Sequence, residues 1–204
     1  GASPGITNML ALKAMNELDK VSNVYTGWDI SGAKPEEESS QTGANAAMEH
    51  GVEQMTGQVK VYMNKNFKMV RPLTRVNVQY PQLGKFKASI FGHPEAITFP
   101  HHYPDISMSL NLMHGNDPAA VFVFKVIRFF VEIKLLTKNL AAKIMEQLER
   151  SKVSKPKEIY NSLPEVYGLA QGLKNETETI VAVTLDGFED NMSMGAATGY
   201  PLAC

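Results

Sequence analysis

The 204-residue chain has a single cysteine, Cys204. An intramolecular disulfide and a thiolate-rich metal site are therefore excluded, and the composition fits a reducing, cytoplasmic setting. An excess of charge is missing too: 20 Lys and Arg stand against 21 Asp and Glu, for a formal net charge of −1. A nucleic-acid module usually carries a basic excess, so no nucleic-acid partner is expected. Long hydrophobic runs are also lacking. The richest stretch, Val121 to Ile133, is interrupted by Lys125, Arg128 and Glu132, which makes it too short and too charged to span a membrane. No signal-peptide pattern is visible at the start. Neither GxxxxGK[ST] nor a GxGxxG after an early strand occurs, so no nucleotide-binding half is recognisable.

What is present is enough to fold. Hydrophobic residues make up 44% of the chain, and a chain of this length buries roughly 70% of its extended surface, which supports one sizeable core without staples. Residues 1–204 read as one domain. The segment ITNMLALKAMNELDK has helical spacing and follows Ser3-Pro4-Gly5 at once. A chain that opens directly on a core-like helix is expected to be preceded by further sequence. Val21 to Ile30 reads as a strand, Ser31 to Gln41 as an exposed acidic loop, and Thr42 to Met55 as a helix. Short alternating runs fill Val59 to Phe91, with Asn64-Lys65-Asn66 as a hairpin turn, and alternation returns over Ser107 to Met113. Asn116-Asp117-Pro118 starts a helix, whose pattern runs to about residue 150 with a break expected near Lys134 to Asn139. Thr177 to Phe188 is the strongest strand signal and suits the middle of a sheet. The fold class is thus α+β: a mixed, largely antiparallel sheet of about five to six strands packed with helices.

Chemistry-bearing residues concentrate in Phe91 to Asp105, FGHPEAITFPHHYPD, which holds His93, Glu95, His101, His102, Tyr103 and Asp105 among three prolines. Functional groups on a stiffened loop beside a sheet suit a binding site, while a proline-ordered surface loop satisfying its own backbone is the plainer reading. His50 and His114 read as structural or surface residues. No histidine spacing matches a metal site, and none is expected. Gly5 to Asn8, with Thr7, provide free backbone N–H groups at a helix start, which can hold an anion, and Gly5 permits close approach. Arg71 and Arg75 are candidates for binding carboxylates through their guanidinium groups. Ser39, Ser40 and Thr42 offer hydroxyls without a nearby base, so nucleophilic catalysis has no support.

The opening SPGITNMLALKAMNELD, the piece FGHPEAITFPHHYP and the closing MSMGAATGYPLA, in that order, resemble the second domain of the saccharopine dehydrogenase family. The resemblance implies a mixed-sheet domain that binds substrate, often mediates dimerisation, and works with an N-terminal Rossmann domain that holds NAD or NADP. That Rossmann domain is missing here, so the chain resembles an excised domain, inactive and without cofactor by itself. The implied substrate is a small carboxylated secondary amine, and the implied partners are the Rossmann domain and a second copy. Pro4 and Gly5 match the family's proline-glycine at the helix facing the interdomain cleft. His93, Pro94 and Glu95 match its histidine-proline-glutamate turn, and Thr198 and Gly199 its small-residue segment. On that likeness Pro4, Gly5, Thr198 and Gly199 would adjoin the cofactor. Gly5, Thr7, Arg71, Arg75, His93, Glu95, His101 and Tyr103 are the candidate substrate residues. A non-catalytic homodimeric interaction or ligand-sensing domain is the alternative.

Overall fold

The alternating runs become strands because each can give one face to a core. The computed structural model describes residues 5–29, 46–114, 118–152 and 163–185. Helix α1 (Thr7–Asn16) leads into strand β1 (Lys20–Asp29), and α2 (Ala46–Gln54) into the hairpins β2 (Val59–Met63)–β3 (Asn66–Val70) and β4 (Arg75–Tyr80)–β5 (Gly84–Ile90). Helix α3 (Glu95–His102), strand β6 (Met108–His114) and helices α4 (Pro118–Glu132) and α5 (Lys138–Lys152) follow, then β7 (Val166–Lys174) and β8 (Thr177–Thr184).

Among the described residues one sheet holds all eight strands, with a path β3-β2-β6-β1-β7-β8. Only β1 and β6 run parallel, with Thr26 level with Asn111, and the other pairs are antiparallel. The free side of β6 forks: Met108 and Ser109 take β2, while Leu112 and Met113 take β5. This is the mixed, largely antiparallel architecture that the patterning predicts, with eight strands instead of five or six.

The two faces of the sheet have different covers. Val24, Thr26 and Trp28 of β1 alternate toward the helices. Ala11, Ala14 and Met15 of α1 pack there with Val24 and Ala170, alongside Phe99 of α3. The helical side continues where Met113 and Phe91 meet Val52 and Met55 of α2, Ile127 of α4 and Ala141 of α5. On the opposite face, Tyr25, Leu110, Leu112, Tyr167 and Leu169 pack with Val78 and Tyr80 of β4 and with Ile180 and Ala182 of β8, so the sheet covers itself.

Local signals are honoured at the turns. Asn64 and Lys65 both have positive φ, as a tight two-residue hairpin requires. Lys134 at φ 61° ends α4 inside the predicted break. Three readings need correction. Residues 95–102 form a helix rather than a loop: Pro94 occupies its N-cap and Pro100 lies in its last turn. Strand β8 lies at the end of the sheet path, not its middle, because β7 stands between it and β1. Strand β7 itself has no counterpart in the sequence reading. Its Gly168 and Gly172 dilute the strand pattern, yet both are demanded by close approach. A Cβ on Gly168 would lie 2.0 Å from the Ala11 nitrogen, and one on Gly172 1.9 Å from the Lys20 carbonyl oxygen.

Candidate functional site

Two helix starts meet over the β1–β6 pair. Gly5 has φ 138°, a conformation open to glycine, and its N–H donates to Asn8 Oδ1 at 3.1 Å, closing the entry to α1. Thr7, at the first position of α1, donates from Oγ1 to Glu95 Oε1 at 2.9 Å, across 88 residues of sequence. Glu95 is the first residue of α3 and only 1% exposed. A carboxylate so placed is favoured by the partial positive charge of helix starts.

The strands complete the network from below. Asn111 donates from Nδ2 to Thr26 Oγ1 at 2.9 Å and, at a longer 3.5 Å, to Glu95 Oε1. Its Oδ1 accepts from Trp28 Nε1 at 3.2 Å. Thr7, Thr26, Glu95, Ser109 and Asn111 are all buried. Buried polar side chains persist only where they are hydrogen-bonded, and such a network fixes one geometry.

An aromatic wall adjoins this network. Trp28 meets Phe91 edge-on at 5.1 Å, and His93 stacks on Phe91 at 5.1 Å between ring centroids. His50 of α2 faces His93 at 6.2 Å and lies 3.3 Å from Gln54 Nε2. Burial, helped by the charge of His50, lowers the pKa of His93 to about 4, so the ring is neutral at pH 7. Its Nδ1 is buried without a hydrogen-bond partner. His93 is thus a neutral imidazole with one buried, unpartnered nitrogen, two residues before the carboxylate that Thr7 and Asn111 engage through Oε1. That nitrogen is shut off from solvent, so a ligand reaches it only through movement of the ring or its surroundings.

The structure therefore joins Thr7 to Glu95, with Gly5 two residues before Thr7 and His93 packed against Trp28 and Phe91. His101 and Tyr103 lie at the opposite end of α3, about 9 Å of helix rise or more from Glu95. His101 tilts against Phe67 at 5.3 Å, and both His101 and Tyr103 are exposed. Arg71 and Arg75 belong to a third place. Arg71 Nη2 donates to Glu132 Oε2 at 2.6 Å, and Arg75 is a like-charged neighbour of Lys125, whose pKa is lowered by partial desolvation and then by Arg75 and Arg128. Pro4, Thr198 and Gly199 lie outside the described residues. Thr26, Trp28 and Asn111 entered no sequence reading of a site. The available signal was Ser109 and Asn111 alternating with Leu110 and Leu112 in β6: polar residues on the inner side of a strand call for buried partners. Among the described residues, no three potential metal ligands converge, and no helix is long and apolar enough to cross a membrane.

No protein-family model matches the chain, and neither does any curated protein sequence.

Proposed function

We propose that this chain is the substrate-binding domain of an NAD(P)-dependent, saccharopine dehydrogenase-like oxidoreductase acting on a carboxylated secondary amine. The observation that carries the reading is the Thr7–Glu95 hydrogen bond, because it joins two of the three segments on which the resemblance rests. Hydride chemistry belongs to the nicotinamide of the cofactor, held by a nucleotide-binding domain of the same protein. This domain's own residues would hold the substrate beside it. Glu95 acts as a positioning residue: it ties the start of α1 to the start of α3 and keeps Gly5 at the rim. The His93 imidazole, whose buried Nδ1 has no hydrogen-bond partner, would have to turn toward the substrate amine, which must be unprotonated before hydride leaves.

The test uses the full-length protein with its nucleotide domain, assayed for NAD(P)-dependent oxidation of carboxylated secondary amines. His93→Asn is expected to lower kcat/KM by about 10²-fold or more, the usual worth of a positioned acid–base group. An unchanged kcat/KM overturns the role of His93. A reading frame without a strand–GxGxxG–helix unit ahead of residue 1 overturns the dehydrogenase reading itself. In that case the ligand-sensing or interaction domain stands, a reading favoured by Phe122, Phe129 and Phe130, which α4 leaves exposed.

A further inference from the structure

Helix α4 is apolar on the side it turns to water. At 100° per residue, Phe122, Val126, Phe129, Phe130 and Ile133 fall within an arc of about 100° that holds no charged residue of the helix. Their exposures are 66%, 36%, 53%, 40% and 45%, and Leu135, just beyond the helix, is 73% exposed. Together they leave roughly 600 Å² in water, at the upper end of what an ordinary monomer gathers in one apolar patch.

Cations border this stripe. Lys125 follows Phe129 round the helix, about 40° beyond the arc, and Arg128 lies farther round the same side. Off the helix, Arg75 neighbours Lys125 and Arg71 neighbours Arg128. The acid in their midst, Glu132, is taken by Arg71 and Arg128. Among the described residues, Arg75 and Lys125 have no carboxylate at ion-pair distance. Lys87, opposite Asn77, continues from Arg75 along one exposed face of the β4–β5 ribbon. The grouping is written in the chain: residues 54–94 contain seven Lys and Arg and no Asp or Glu, although the net charge of the whole is −1.

We propose that this face lies on a membrane surface rich in anionic phospholipid, with the α4 stripe among the upper acyl chains and Arg75, Lys87 and Lys125 on the headgroup phosphates. A bilayer surface layers hydrocarbon beneath phosphate, which is the pairing that an apolar stripe with a cationic border fits. A protein partner would have to bring carboxylates to fixed positions opposite Arg75 and Lys125, whereas mobile headgroups meet those cations where they stand. At 15 residues, about 22 Å, α4 is too short to cross a bilayer and lies along it. The proposal is independent of the dehydrogenase reading.

Flotation of the 204-residue chain with vesicles tests it, comparing phosphatidylcholine alone with phosphatidylcholine carrying about 30% phosphatidylserine. Binding to the anionic vesicles is expected to be about 10-fold tighter or more than to the neutral ones. Phe122→Ser/Phe129→Ser should weaken it about 100-fold or more. Arg75→Ala/Lys125→Ala should weaken it about 30-fold, at roughly fivefold for each cation beside an anionic surface. Both variants should keep native circular dichroism, since none of the four side chains belongs to a core cluster. Phe129→Trp supplies a second readout: lipid brominated on its acyl chains should quench the new indole, while Trp28, packed on Phe91 and the one tryptophan of the natural chain, keeps its emission. No binding to the anionic vesicles overturns the proposal, as does binding indifferent to the phenylalanines. So does a chain that self-associates through those phenylalanines and ignores vesicles. Equal affinity for neutral vesicles overturns the role of the cations.

Discussion

Strand β6 reads differently from its two sides. Toward the helices it shows Ser109, Asn111 and Met113, and toward the opposite face Leu110, Leu112 and His114. The second side is held by area: Leu110 and Leu112 pack with Tyr25, Tyr167 and Leu169. The first is held by direction: Asn111 reaches Thr26, Trp28 and Glu95 at fixed angles. Apolar packing tolerates shape-conserving exchange, whereas a buried network penalises loss of any one member. Two adjacent surfaces of one strand thus serve different ends, cohesion on one side and placement of two helix starts on the other.

The contrast can be broken most severely at the seat of α1. Gly168→Val should cost at least about 4 kcal/mol or prevent folding, because the new side chain meets helix backbone that cannot turn aside. The check is the denaturant midpoint of the variant against wild type.

A smaller effect separates the two faces by chemistry. Glu95→Leu should cost about 3 kcal/mol by taking the carboxylate away from the buried Thr7 hydroxyl and weakening the hold on Asn111, which keeps Thr26. Leu112→Ala should cost a similar amount through a cavity. The faces then differ in coupling. Thr7→Val is expected to be about 1 kcal/mol less damaging on the Glu95→Leu background than alone, while Thr7→Val and Leu112→Ala should simply add. Additivity in both pairs would show that the polar side has no network character.

A milder perturbation than these substitutions is a change of pH. His93 is held at about 4 against 6.5 for the unperturbed ring, so between those values the unfolded chain binds more protons than the folded one. Its contribution to stability is fully present above pH 6.5 and is lost as the pH falls toward 4, by about 2 kcal/mol between pH 7 and pH 5. His114, on the other face near Asp29 and the Leu163 and Pro164 carbonyls, is also lowered, chiefly by burial, and adds in the same direction. His93→Gln should therefore flatten the dependence in part and leave the His114 share. Urea midpoints at the two pH values, compared for wild type and variant, measure the difference.

Much of the fold was legible. The hairpin at Asn64-Lys65, the break at Lys134 and the strand read over Val21 to Ile30, found over Lys20–Asp29, all follow from local turn chemistry and alternation. Strand β7 was illegible because its glycines answer to Ala11 and Lys20, which are remote in sequence. The density of prolines hid α3, yet Pro94 at a helix cap and Pro100 in the last turn are compatible with eight helical residues. Of the candidate site, Gly5, Thr7, His93 and Glu95 were visible as chemically suggestive local segments. Their union depended on tertiary geometry, and so did the diversion of Arg71 to Glu132.

The fork along β6 has one more consequence. Two hairpins leave the same strand at different heights, each tied to it by a pair of residue positions, whereas β1 is tied to it over seven. Side-chain packing, through Val61 and Ala88 among others, therefore seats the two ribbons more than strand pairing does. Amide protons at the outer margins of the ribbons should trade with solvent deuterium before those of the β6–β1–β7 spine, which is pinned by pairing along its length.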